Sequence, residues 1–598
     1  MAFEDTASDS VHFGSKQLQT PTEEKTTTGE HKEDVLASTP DLVYDDVDEE
    51  PEFHTRTYFA LIAMFFLNFV QVLALQGPPA VLSYIGDDLN NTARQTWVPN
   101  ALSLVQAVVS PIISSASDTF QARKAFLVGP CIISFIGSAI APGSSNIYRL
   151  IVAQILIGFG FATVPLAYCV PSEILPRRWR PIVQATMNVA AALGACIGPL
   201  VIGALTRTNP HTGWRNFYWF QMALWGVTSA GLLVGYRPPK RHTRLDHLSF
   251  WQKIGRLDLP GFGLLTTGLT LLLTGLNLGG GVFKWSSVQV LATLIVGIVV
   301  LIAFGLYEWK FKKDGILHHD LFRGGKDRGR TFTICVSLIF IEGILLFAYV
   351  IFYPTMTTAL FETNPFLLTA RLQPFWVACA LSTTLYGYAS TKLRSIRLPM
   401  FIGFLLFTCG TIGLTTIQPG DSLNSLAFAS LAGIGFGGPL VLIIAGVQLS
   451  TPHHLIATAT ALTTSARAVA ATVFTAIYGA TLTTGLAKRI PTYVAGAAGR
   501  AGLPTTSIPA FVGAIASNNA TALPNIPGIN PLIIEAGVAA LKRAFADGLR
   551  NVYIIAAPFG ALACILCWFL GDLKATMNYH VDAPVEDLHA KHKHEGAA

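Results

Sequence analysis

The feature that most constrains this chain is the recurrence of long apolar runs along nearly its whole length. A run of about 18 residues or more crosses the ~30 Å hydrocarbon layer of a bilayer as a helix. Charge is scarce enough to agree: of 598 residues only 13% are Asp, Glu, Lys or Arg, against 51% hydrophobic. Soluble domains carry about 25% of those four residues, and many of the charges here sit in the two tails. With 53 Gly and 33 Pro, the chain reads as an all-α polytopic membrane protein. A nucleic-acid binder, a secreted disulfide scaffold and a soluble multidomain enzyme are excluded.

Fourteen spans are expected, near 58–80, 95–116, 125–141, 147–169, 182–205, 216–236, 259–278, 288–307, 331–354, 372–390, 399–417, 424–449, 455–484 and 549–570. Residues 1–54 are rich in Ser, Thr, Asp and Glu and end in an acidic run, Asp45 to Glu50, so they are expected to be a disordered cytoplasmic tail. They carry no basic region followed by a short apolar core, so no cleaved signal peptide is read there. The remainder divides into a six-helix bundle at 55–236, a linker with two extra helices at 237–330, a second six-helix bundle at 331–575 and a cytoplasmic tail at 576–598. An unusually long outer loop, 485–548, lies within the second bundle, and its Ile533–Leu549 stretch is expected to be an interfacial amphipathic helix.

Orientation follows from basic residues, which accumulate on cytoplasmic loops. With the N-terminus in the cytosol, the inner loops carry 21 Lys and Arg, whereas the short outer loops carry five: Arg94, Arg207, Arg215, Lys284 and Arg371. The Asn-x-Thr glycosylation acceptors at Asn90 and Asn519 both fall on the expected outer face.

Several chemistry-bearing patterns resolve to packing. All eight cysteines lie in or at the ends of spans, where small apolar side chains are wanted. His318-His319 and His453-His454 are adjacent pairs, and neighbours in sequence cannot share a helical face as i,i+4 ligands do, so no metal site is expected. The Gly-rich run 433–438 lies inside a span with no preceding strand, which points to close helix packing rather than a phosphate loop.

Span five reads Gly194-Ala-Cys-Ile-Gly198-Pro199-Leu-Val-Ile-Gly203. Glycines four apart admit a neighbouring helix closely, and Pro199 allows a bend. This segment resembles the antiporter motif of the major facilitator superfamily. Gly213-Trp214-Arg215-Asn216-Phe217-Tyr218 before span six is similar to the Gly-Trp-Arg-x-x-Phe signature of fourteen-span drug:proton antiporters, and Pro171–Arg180 to the charged loop after span four. The whole region 55–575 resembles the fungal trichothecene efflux pumps, with 321–332 and the following span to Pro354 carrying that likeness. The resemblance implies two six-helix bundles with two linker helices between them. It also implies export of a sesquiterpenoid toxin by proton antiport, for self-protection and secretion, by a monomer at the plasma membrane or also on vacuolar or vesicle membranes. In such folds the Glu, here Glu173, pairs with cytoplasmic Arg residues and latches the outward-facing state, so Asp118, Arg123, Lys124, Glu173, Arg177 and Arg178 form the expected cytoplasmic gate; the alternative is that these charges only set the topology.

Departures from the superfamily bear on mechanism. The loop after span two keeps Asp118 and the basic pair Arg123-Lys124 but lacks both customary glycines; span four has Gln154 where an Arg is usual; span one has no embedded Asp. The N-terminal proton machinery therefore does not carry over. Ionisable residues deep in a span are functional candidates by default. Glu342 is 12 residues in from Arg330 and Arg467 is 12 residues in from Leu455, which is about 18 Å deep at 1.5 Å per residue. A Glu342–Arg467 pair is the expected proton-coupling site, with a permanent structural ion pair as the alternative. Apolar, aromatic cavities with a few polar groups suit drug-sized ligands, and Gln71, Gln154, Asn188, Phe347, Tyr349, Phe375 and Trp376 lie at suitable depth.

No nucleotide-binding loop and no cofactor is expected, so coupling falls to an ion gradient, and the partners are a small-molecule toxin, protons and the lipid bilayer. The rival readings are a fourteen-span siderophore–iron transporter, a broad drug efflux pump and a non-transporting membrane sensor. A membrane enzyme is disfavoured because no His/Asp/Glu cluster converges near an interface.

Overall fold

The computed structural model describes residues 43–239, 249–279, 283–312, 315–323, 325–362, 364–517 and 523–591. Asn519, most of the expected N-terminal tail, the last seven residues and the inner-loop Lys240, Arg241, Arg244 and Lys313 lie outside the described residues.

Among the described residues, fourteen long helices dominate. We label them α1 (Thr55–Gln76), α2 (Trp97–Phe120), α3 (Arg123–Ile140), α4 (Ile147–Ile174), α5 (Arg180–Thr208), α6 (Gly213–Gly235), α7 (Leu259–Gly279), α8 (Val288–Lys310), α9 (Gly325–Leu360), α10 (Pro365–Leu393), α11 (Arg397–Leu414), α12 (Ser422–Ser450), α13 (Ile456–Arg500) and α14 (Pro531–Cys567). Thirteen are long and apolar enough to cross a membrane on those criteria alone. The exception, α10, has the length at 29 residues but carries Arg371, Gln373, Ser382, Thr383 and Thr384 among its apolar side chains.

The packing of α9–α14 repeats that of α1–α6. α1 lies on α5 and α6, α2 on α4, and α3 on α4 and α6; in the same order α9 lies on α13 and α14, α10 on α12, and α11 on α12 and α14. The halves meet through two equivalent pairs, α5 with α10 and α2 with α13. The linker helices α7 and α8 pack on each other, and α7 touches both α2 and α13.

Sequence explains where these helices start and stop. Asn146, Asn364 and Asn530 each accept a hydrogen bond from a backbone N–H of the first turn of α4, α10 and α14, satisfying a donor that the helix itself leaves open. Gln121 after α2 and Arg394 after α10 both adopt left-handed backbone, with φ of 51° and 49°. These are equivalent corners of the two halves, and the first falls in the loop that lacks its customary glycines. The Gln121 amide offsets the strain by donating to the Asp118 carbonyl at 2.8 Å.

α4 is interrupted between Phe161 and Val164, just before Pro165. Backbone groups freed inside a membrane must find partners in neighbouring helices. Ser110 of α2 donates to the Ala162 carbonyl at 2.8 Å, and Gln71 of α1 donates to the Gly160 carbonyl and Thr163 hydroxyl at 3.0 Å each.

The outer region differs from expectation. In place of a loop with a helix lying flat, α13 runs on to Arg500 and α14 begins at Pro531, so Ile533–Leu549 is the first part of the last span. Ile508–Ala516 bridges the two extensions, and Val494, Ala498, Leu503, Phe511, Ile515, Ile526 and Ile533 form a small core of their own. Of the apolar face assigned to the membrane interface, Ile533, Ile534, Ala540 and Leu541 pack into that core, and Phe545 and Leu549 join the main one.

Gly194 shows why α5 carries small residues. A Cβ there would lie 2.4 Å from the Phe69 carbonyl oxygen of α1, a backbone atom that cannot swing aside, and one at Gly198 would lie 2.9 Å from that of Leu73. Gly194→Ala is expected to destabilise the protein by about 1–3 kcal/mol through forced separation of α1 and α5. Gly231→Ala on α6, where nothing lies within 4 Å, should leave thermal unfolding in detergent unchanged.

Candidate functional site

In the middle of the second half, α9 and α13 cross so closely that a Cβ on Gly343 would lie 3.0 Å from the Arg467 carbonyl. That approach sets Arg467 Nε 2.7 Å from Glu342 Oε2, with the glutamate fully buried and the arginine side chain 19% exposed. Glu342 Oε1 and Arg467 Nη2 have no hydrogen-bond partner, so each ion relies almost entirely on the other. Buried charges normally have further hydrogen bonds; a pair this sparsely held can come apart. Facing it from the first half, Tyr168 on α4 donates to Asn188 on α5 at 3.1 Å.

The aromatic candidates cluster beside the pair. Tyr349 stacks on Phe375 with ring centroids 4.0 Å apart and on Tyr353 at 4.7 Å; Phe375 in turn meets Phe436 at 5.6 Å and Trp376 at 5.0 Å. Phe375 is fully buried, Phe347 and Trp376 are half-buried, and the buried Tyr349 hydroxyl has no partner. The polar candidates sit elsewhere in the first half: Gln71 at the break in α4, Gln154 donating to the Tyr218 hydroxyl at 2.8 Å, and Asn188 between Tyr168 and the Gln184 carbonyl.

A second group of charges closes the end that the basic loops assign to the cytoplasm. Arg123 grips both Glu173 oxygens, at 2.8 and 3.3 Å, lies 2.6 Å from Asp118 and donates to Ser117 at 3.0 Å. Asp118 in turn accepts from the Thr458 N–H at 2.9 Å and its hydroxyl at 2.6 Å. The N–H groups at a helix start are unpaired and positive in sum, so an anion on α2 holds the first turn of α13 across the seam. Lys124 donates to the Leu233 carbonyl at 2.7 Å, tying α3 to α6.

Arg177 and Arg178 do not reach Glu173. Arg177 binds Asp582, and Arg178 donates to the Tyr579 hydroxyl at 2.7 Å, both in the segment after α14. The buried Arg180 lies between the halves: Nη2 is 2.6 Å from Asp582, and Nη1 donates to the Gln448 carbonyl at the end of α12. Gln184 adds a hydrogen bond to the Gln448 side chain at 3.1 Å. Asp582, Gln448 and Thr458 are not singled out by sequence reasoning. Gln448 alone leaves a signal, a polar side chain closing an otherwise apolar span; Asp582 sits in an ordinary polar tail. Among the remaining candidates, Asn90 is exposed with φ of 50° in the outer loop, and Gly203 and Pro199 are buried along α5.

Three comparisons bear on these features. A model of the family described as fungal trichothecene efflux pump matches residues 32–596. The chain is similar to the MFS-type transporter prx5 of Penicillium rubens, 27% identical over 455 residues, covering 75% of this chain and 80% of that protein. It is also similar to the efflux pump dotC of Dothistroma septosporum, 25% identical over 520 residues, covering 86% and 85%. Among solved structures, it superimposes on the proton:xylose symporter XylE with a TM-score of 0.49 at 13% identity, covering 86% of this chain and 98% of that one.

Asp582 lies outside the spans, and its acidity can be read. Burial would raise the carboxyl, but hydrogen bonds from His580 and Arg177 and the charges of Arg180 and His453 outweigh it and hold it well below the usual carboxylate range. A depressed carboxyl contributes its stability above its unfolded value of about 3.9 and loses it only as pH falls through the folded value. Amide exchange at Val581 and Ala583, corrected for its intrinsic pH dependence, should therefore keep its protection as pH falls from about 5 to 4, where an ordinary Asp begins to take up its proton.

Proposed function

Because this chain belongs to the fungal trichothecene efflux pump family, and so carries the helical major facilitator fold, we propose that it exports trichothecenes from the producing cell in exchange for protons. The membrane is the plasma membrane, and the consequence is self-protection and toxin secretion. Relatives named as efflux pumps support the outward direction.

The observation that carries the coupling is the Glu342–Arg467 pair, 2.7 Å apart and sparsely held at mid-depth. When α9 and α13 shift, the carboxylate loses its counter-charge. A carboxylate left alone in an apolar surround takes up a proton rather than remain charged. Return of Arg467 to Glu342 expels that proton on the other side. The carboxyl and the cavity then alternate together, because the helices that carry the pair also carry the aromatic cluster. The half-buried Trp376 offers an apolar face to a neutral terpenoid, backed by the buried stack of Phe375 and Tyr349. Gly194, Gly198 and Pro199 let α5 swing on α1, while Asp118, Arg123 and Glu173 hold the cytoplasmic side closed.

The test follows labelled trichothecene in a sensitive yeast strain that displays the protein at its surface. Expression should lower toxin retention, and a proton uncoupler should restore it. Glu342→Gln, which fixes the uncharged form, should slow export about tenfold, equivalent to ~1.4 kcal/mol in the coupling step. An uncoupler-sensitive pump indifferent to Glu342→Gln would move coupling to another group. Retention unchanged by expression would overturn efflux and favour import of a charged metal chelate.

A further inference from the structure

The segment after α14 is neither a free tail nor a surface loop. It leaves the second half at Leu570, whose carbonyl accepts from Arg397, and Gly571, whose N–H donates to the Thr331 hydroxyl at 2.9 Å. It then crosses to the first half. The Asn578 and His580 carbonyls accept from Arg178 N–H at 2.8 Å and Arg177 N–H at 3.1 Å, and Ala583 N–H donates to the Glu173 carbonyl at 2.8 Å. Val581 pairs with Tyr44, and Ala590 with Pro51, each as an antiparallel bridge to the segment preceding α1. Glu586 accepts from His54 N–H at 2.8 Å and the Thr57 hydroxyl at 2.6 Å. Since α1 has no side-chain cap of its own, this carboxylate from the far end of the chain caps it.

Asp582 is the point at which this strap meets the seam. Arg180 carries its charge at 3% side-chain exposure, and apart from Asp582 its named partners are two neutral carbonyls, Ser172 on its own side and Gln448 on the other. An isolated buried cation is costly, so the carboxylate is what lets a guanidinium rest there and bridge to the end of α12. His580 reinforces the site, with Nε2 3.4 Å from Asp582 and Nδ1 3.3 Å from Asp45.

We propose that residues 571–591 form a built-in strap that keeps the cytoplasmic gate shut, with Asp582 as the positioning residue that seats Arg180 against Gln448. Separation of the halves on this side requires the Arg180–Gln448 contact to break and the strap, anchored to the second half at Leu570 and Gly571, to lift from the first. The strap thereby biases the molecule toward the arrangement open to the outside. The inference rests on the transport reading only in treating the seam as a gate, and its principal readout needs no substrate.

The experiment uses the full chain, with its eight native cysteines replaced and Ser450→Cys introduced. Ser450 is buried at the cytoplasmic end of α12. Labelling by a water-soluble maleimide is followed in inside-out vesicles. With the strap intact it should be slow; Asp582→Ala should speed it about tenfold, and Asp582→Glu should not. Rates equal within twofold for a correctly inserted Asp582→Ala protein would overturn the proposal.

A second variant guards against misfolding. Backbone hydrogen bonds flank the Pro51–Ala590 bridge, which places such Cα atoms about 4.5 Å apart, inside the range of about 4.4–6.8 Å that a disulfide spans. Pro51→Cys with Ala590→Cys should, once oxidised, slow both maleimide labelling and toxin export, and a reductant should restore both. Labelling indifferent to oxidation would overturn the strap. A strap-dependent change in labelling without any export would instead leave the strap standing and sink the efflux reading.

Discussion

A charge taken out of water gains several kcal/mol unless an opposite charge is held beside it, and this chain places few charges out of water without an answer from another helix. Arg123 on α3 is answered from α2 and α4, Arg180 on α5 from the C-terminal strap and α12, and Arg467 on α13 from α9. The inter-half hydrogen bonds of Asp118 with Thr458 and of Arg180 and Gln184 with Gln448 lie at the end that the basic loops assign to the cytoplasm. Charge pairing thus decides which side of the molecule is closed.

Against that closed side stands the looser pair at mid-depth. The Arg123 cluster is the more densely bonded, with one guanidinium shared between two carboxylates and a hydroxyl. Glu342 and Arg467 have little beyond each other. A densely bonded cluster serves as a lock and a sparse pair as a moving part, since only the latter can exchange partners without leaving several buried groups unsatisfied.

Much of the architecture was legible in the sequence because the membrane imposes it: span length, basic inner loops and the small-residue face of α5 are direct consequences of bilayer thickness and close packing. That Glu342 and Arg467 meet followed from their equal helical rise along two spans. Other features were hidden for identifiable reasons. The continuity of α13 and α14 was obscured because an apolar stripe looks alike whether it faces lipid or a small protein core. The break in α4 gave no sign of needing Gln71, so a structural amide read as a ligand contact. Loss of glycine at Gln121 read as loss of the motif, although a hydrogen bond to Asp118 lets glutamine hold the same left-handed corner. The partners of Arg177 and Arg178 lie about 400 positions away, at Asp582 and Tyr579, a pairing that local pattern cannot express.

The helical extensions on the outer side have a mechanical consequence. α13 carries Arg467 in its first third and continues as helix, through Pro491, to Arg500, where it joins the outer core. A helix carries tilt along its length: about 20 residues reach ~30 Å, so a tilt of roughly 10° at the membrane becomes a sweep of up to ~5 Å at the tip. The outer hairpin is therefore a pointer whose position reports the state of the buried pair on the far side of the membrane.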